Sequence, residues 1–205
     1  MKIKKIIANC KSRGQLYIYD HGESTQWISS GAAFYPIFDL PKFDPDTICT
    51  TYDITDKQQD KMLIQRYPEL PINICFDDYC DSEQQVEPSR MRIIVHGKTL
   101  IPVLTSAGIQ FINDRLLDPL SDIPSDDLSF FERVTDDGQI YFAVKQGLMI
   151  TAVIGTFDIL TDDFVDEVKS IATQCEIALY NKKADERCTA EPAENLLDDE
   201  KTVEV

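Results

Sequence analysis

What is scarce in this chain narrows its function first. It holds eight glycines, none of them grouped. Neither G-x-x-x-x-G-K-[ST] nor G-x-G-x-x-G occurs, so no backbone cradle for nucleotide phosphates is expected. Histidine occurs only at 21 and 96, which leaves few acid/base candidates at neutral pH. No apolar run approaches the roughly 18 residues that a membrane-crossing helix needs. Ile3, Ile6 and Ile7 are interrupted by lysines and no apolar h-region follows, so no signal peptide is read. The six cysteines, at 10, 49, 75, 80, 175 and 188, lack zinc-site spacing, and Cys75/Cys80 is a C-x4-C pair without a second pair. A cytoplasmic protein with reduced thiols is the expectation.

Basic residues are the other shortage. Asp and Glu number 36 against 20 Lys and Arg, a net charge of −16. Residues 1–13 carry five bases and no acid, and residues 183–205 carry eight acids and three bases. The segment 14–182 therefore holds −16 by itself. Such a field repels nucleic acid and attracts basic surfaces. No direct DNA binding is expected; the plainer alternative is that acidity only keeps the protein soluble. Lys2, Lys4, Lys5, Lys11 and Arg13, interleaved with isoleucines, read as a charge-alternating edge strand.

Three stretches carry a hairpin signature, β-branched and aromatic residues around a Gly-bearing turn. They are Leu16–Tyr19 with Thr25–Ile28, Met91–Val95 with Thr99–Ile101, and Ile140–Val144 with Leu148–Ile154. In the first two, the second strand runs into a small-residue step, 29–32 and 105–108. That likeness raises an internal duplication of residues 14–85 and 90–182; two ordinary hairpins with common turn chemistry are the alternative.

The clearest helix spans 162–182. Thr161 can cap it, Asp162 and Asp163 suit its first turn, and Phe164, Val168, Ile171, Cys175 and Ala178/Leu179 form one stripe. Shorter helices are expected over 56–66 behind Thr55, over 126–133 behind Ser125, and over 106–117. Pro68, Pro71 and Pro88 frame a boundary. The fold expected is α+β: antiparallel hairpins packed against a C-terminal amphipathic helix, as lobes 1–85 and 86–182, with a disordered acidic tail at 183–205.

No catalytic motif emerges, no cofactor is implied and no metal site is read. Ser29-Ser30-Gly31 and Ser106-Ala107-Gly108 lack the nucleophile elbow. His21 and His96 both precede glycine in hairpin turns, where His tolerates left-handed geometry; a cleft uniting them is the enzymatic alternative. The run Asp77-Asp78-Tyr79-Cys80-Asp81-Ser82-Glu83 offers oxygen ligands but no EF-hand pattern. Candidate partner-binding residues are Asp77, Asp78, Asp81, Glu83, Asp126, Asp127, Asp136 and Asp137. Trp27 and Tyr35 join them as aromatic anchors, with core packing as the alternative for Trp27.

The segments L-Y-I-Y-D (16–20), Q-W-I-S-S-G-A-A-F-Y-P-I (26–37), L-P (40–41) and Y-D-I-T-D-K-Q-Q-D-K-M (52–62) resemble small uncharacterised proteins of phages and prophages of Gram-positive gut bacteria. The resemblance covers about a quarter of the chain. It implies an inhibitor of host defence such as an anti-CRISPR protein, acting in the host cytoplasm on a Cas9-type nuclease or its guide-RNA complex. No residue role carries over with it. A −16 chain could occupy a Lys/Arg-lined channel built for nucleic acid. The other alternative is a phage structural or assembly component.

Overall fold

The computed structural model describes residues 2–189 apart from Ser24 and Asp39. The acidic tail from Ala190 onward lies outside the described residues. The fold is α+β. Residues 1–158 form one compact unit and 159–205 a second.

The N-terminal segment is a helix, α1 (Ile3–Arg13), not the expected edge strand. Ile6, Ile7 and Cys10 recur at helical spacing and are buried, so the lysines between them fall on the outer side. Gly14, at φ 69°, ends the helix and donates its N–H to the carbonyls of Cys10 and Lys11.

Strands β1 (Gln15–His21), β2 (Thr25–Ser29) and β3 (Ala33–Ile37) follow as an antiparallel meander. Its second turn uses Gly31 at φ 78°, where a Cβ would lie 2.3 Å from Gln15 Oε1. A short helix α2 (Pro45–Thr51) comes next, capped by Asp44, whose Oδ1 accepts the Thr47 N–H at 2.7 Å. The helix expected over 56–66 is only α3 (Asp56–Gln59); the chain then turns into β4 (Leu63–Tyr67), parallel to β1. Thr55 does cap α3, with its N–H bound to Gln58 Oε1.

The second meander is β6 (Ile93–Val95), β7 (Lys98–Thr105) and β8 (Gly108–Asn113), a separate sheet. It overturns the helix expected over 106–117, of which only a 3₁₀ segment, Asp114–Leu120, remains. The helix expected over 126–133 is likewise a 3₁₀ turn, Ser125–Asp127, leading into β9 (Leu128–Val134). Strands β10 (Ile140–Gln146) and β11 (Met149–Gly155) form the third hairpin as expected.

Together with β5 (Gln84–Val86), these strands build an eight-stranded sheet in the order β4-β1-β2-β3-β11-β10-β9-β5. Strands from both expected lobes thus share one sheet, joined where Val153 and Ile154 of β11 pair with Phe34 and Ala33 of β3. The division falls after Asp158 rather than at 85/86.

Alternation along the strands gives the sheet two buried faces. On one face, Leu16, Ile18, Ile28, Tyr35, Phe142, Val144 and Ile154 pack under α1, α2 and the small sheet. On the other, Trp27, Tyr141, Ala143 and Val153 pack under Leu70, Ile74 and Phe76. The proline-framed stretch read as a boundary is therefore a cover over the second face.

The second unit contains α4 (Asp162–Thr189), which begins where expected and runs beyond 182. Among the described residues no helix is long and apolar enough to cross a membrane.

Candidate partner-binding surface

Residues 68–83 form neither helix nor strand. Pro68 and Pro71 restrict the backbone at its start. Inward, Phe76 meets the rings of Trp27 and Phe34 with centroids 4.9 and 5.2 Å apart. Polar groups then pin the segment at three places. Glu83 accepts two hydrogen bonds from Arg133, Nε at 2.9 Å and Nη2 at 2.5 Å, and one from Lys145 Nζ at 2.5 Å. Arg133 Nη1 donates to the Cys75 carbonyl and the Cys75 N–H donates to Tyr141 Oη, both at 2.9 Å. Asp78 Oδ1 accepts the Ile150 N–H at 2.8 Å.

Arg133 is fully buried, and Lys145 is buried with its ammonium 4.3 Å from the Phe131 ring centroid. Two buried cations require a compensating anion, and Glu83 supplies it. Burial works against ionisation of Glu83, but Lys145 and Arg133 outweigh it and hold the carboxyl below its usual range. Burial pushes the Tyr141 phenol up. Cys80 is held below the usual thiol range, chiefly by the Ser82 hydroxyl, and burial pushes its neighbour Cys75 up.

The same segment presents a different set outward. Ile72 is 97% and Tyr79 72% exposed, and Asp77, Asp78 and Asp81 are exposed in the same segment. A hydrogen bond and charge from Asp81 raise the Tyr79 phenol. The Asp78–Ile150 bond brings up the turn between β10 and β11, where Leu148 is 86% and Met149 54% exposed. The segment is thus held on the sheet while it exposes three carboxylates, Tyr79 and Ile72.

The candidate residues separate accordingly. Asp77, Asp78 and Asp81 are all exposed, although Asp78 also accepts the Ile150 N–H, whereas Glu83 is spent on holding the segment. Trp27 and Tyr35 are buried on opposite faces of the sheet, and Tyr35 Oη donates to the Leu116 carbonyl at 2.7 Å. Both rings serve the core. Asp136 and Asp137 are exposed in a turn beyond the end of β9 nearest Glu83. Asp126 and Asp127, also exposed, precede its other end, about 20 Å away at the usual strand rise. The acidic pairs do not form one array.

The histidines do not meet. His96, at φ 48°, and Gly97 make the left-handed turn between β6 and β7, as their sequence implies. Gly97 and Lys98 border a cavity of about 330 Å³ together with Ser12 and Arg13, at the start of β1. His21 ends β1, about 20 Å from that start. A groove of about 860 Å³ mixes Arg90 and Arg92 with Asp114, Asp118 and Asp126, and among the described residues no His or Cys lines it. Among the described residues no group of three His, Cys, Asp or Glu could hold a metal ion.

Sequence reasoning passed over Ile72, Tyr79, Leu148 and Met149. Tyr79 sits inside the acidic run, and Leu148-Met149 directly follow the turn glycine, where apolar residues are unusual. Those were the available signals. The class that the fold defines is α+β with a mixed sheet and a seated acidic segment. Compared with known proteins, the chain matches no family model, no curated protein and no solved structure.

Proposed function

We propose that this chain is an acidic binding protein that occupies a basic surface of a nucleic-acid-handling protein. The observation that carries the reading is the division of labour within 72–83. Glu83 and Asp78 hold the segment on the sheet while Asp77, Asp81, Tyr79 and Ile72 are turned outward. A segment already ordered before binding loses less freedom on association. Exposed aromatic and aliphatic side chains supply contact area, and the carboxylates and net charge steer encounter with a basic partner.

The target that agrees with the resemblance of residues 14–62 is a host defence protein, a Cas9-type CRISPR nuclease or its guide-RNA complex. Its Lys/Arg-lined channel suits an acidic occupant, and phage-encoded action in the host cytoplasm follows from the same reading. The alternative of an enzyme built on His21 and His96 has no shared cleft to support it.

The test is binding of the full chain to the guide-loaded nuclease. Asp77→Asn with Asp81→Asn is expected to weaken binding about tenfold and to reduce its salt dependence, while Asp126→Asn with Asp127→Asn leaves it within twofold. Equal affinity for all three proteins would refute the assignment of the surface.

A further inference from the structure

Helix α4 presents apolar residues to solvent along most of its length. Val165, Val168, Ile171, Leu179 and Tyr180 are all exposed, as is Cys175. A helix of 28 residues is stabilised in water mainly by packing of such a face. The spacing says what kind of packing. Phe164, Val168, Ile171, Cys175 and Ala178 are separated by steps of four, three, four and three. That is a period of 3.5, the repeat that keeps a seam aligned with a second helix. Val165, Ala172 and Leu179 border the seam on one side, and Glu167, Gln174 and Asn181 on the other.

We infer that α4 pairs with α4 of a second copy of this chain, antiparallel, about a centre at Thr173. Charge chooses the direction. Asp162, Asp163, Asp166 and Glu167 crowd the start of the helix, while Lys182 and Lys183 lie near residue 182. A parallel pair would stack four acids on four acids. An antiparallel pair sets each acidic start at the level of the second copy's two lysines, and the helix dipoles oppose.

The layers of that register are self-consistent. Val168 meets the second copy's Ala178, Ile171 meets its Cys175, and Phe164 meets the stem of its Lys182. Each layer thus joins a larger apolar group to a smaller or flexible one. Along one flank Val165 faces Leu179 and Ala172 faces its own equivalent; along the other Glu167 faces Asn181 and Gln174 its equivalent. Between residues 164 and 182 no like charges oppose; Asp185 and Glu186 lie just beyond the lysines. This inference does not rest on the proposed function.

The test uses the full chain in a Cys188→Ser background. Light scattering in solution is expected to give about twice the 23.3 kDa chain mass. Under mild oxidation with oxidised glutathione, Ile171→Cys should crosslink to Cys175 of the second copy. Neither Cys175 alone nor Ile171→Cys with Cys175→Ser should crosslink. In those cases the two equivalent sulfurs sit on helices about 8–10 Å apart and are offset by about 6 Å along the axis, beyond disulfide reach. Val168→Asp with Ile171→Asp should give a monomer whose buried Trp27 keeps its emission, showing that the sheet is intact. A wild-type monomer at about 50 µM would overturn the inference, and so would a covalent dimer through Cys175 alone, which requires the parallel arrangement.

Discussion

Glu83 is the counter-ion of the second face of the sheet. It neutralises two cations that the sheet buries, and removing one partner of such a group leaves the others charged and unsolvated. Glu83→Gln is expected to cost about 3–5 kcal/mol, read as a fall in the urea midpoint. Its pH dependence has a definite sign. The folded carboxyl is held below its ordinary range. Its contribution is therefore complete above the unfolded value near pH ~4.3 and is lost as pH falls through the lower folded value. Wild-type stability should drop on acidification in that window, and the Glu83→Gln variant should show a flatter acid limb. Cys10 gives a second residue-scale expectation. Burial pushes its thiol up to about 12, against the smaller opposing effects of its own backbone hydrogen bond and Arg13. At pH ~8 it should resist alkylation until the chain unfolds, and then react at once.

Among the elements, the 68–83 segment behaves as one unit because its anchors are shared. Tyr141→Phe removes the acceptor of the Cys75 N–H, a loss of about 1 kcal/mol. Amide exchange at Cys75 should then quicken while exchange within β10 stays slow; equal quickening of both would mean that the segment does not open separately from the sheet. This segment also shows where sequence reading stopped. Its prolines read as a boundary because the cation that binds Glu83 lies 50 residues away, and no local pattern shows that pairing. The three Gly-turn hairpins were legible, since turn chemistry and alternation are local. The N-terminal helix was misread because lysines between isoleucines alternate like a strand over a few residues, although 3, 6, 7 and 10 have helical spacing. Residues 63–66 were absorbed into a helix because β4 is partly exposed and follows α3 after three residues. Of the candidate surface, Asp77 and Asp81 were legible from charge alone. The burial of Trp27 and Tyr35 and the exposure of Leu148 were not, because face assignment needs the strand order.

For the whole molecule, the charge is not concentrated where the fold is densest. Residues 1–158 hold 23 acids and 15 bases, and 159–205 hold 13 and 5, so each unit carries −8. Both contribute equally to the long-range field, although only the first carries the seated acidic segment. Association with a basic partner should therefore be fast at low salt and slow steeply as salt rises. Deleting residues 190–205 is expected to lower the association rate with little change in dissociation. An unchanged association rate would mean that these residues take no part in steering. The most direct measurement is the affinity of the full chain for a guide-loaded Cas9-type nuclease at low and at high salt, alongside a variant combining Asp77→Asn, Tyr79→Ala and Asp81→Asn. Binding is expected at low salt, weakening at high salt and falling at least tenfold in the variant. No binding at micromolar concentration in low salt, or equal binding by the variant, would contradict the proposed function.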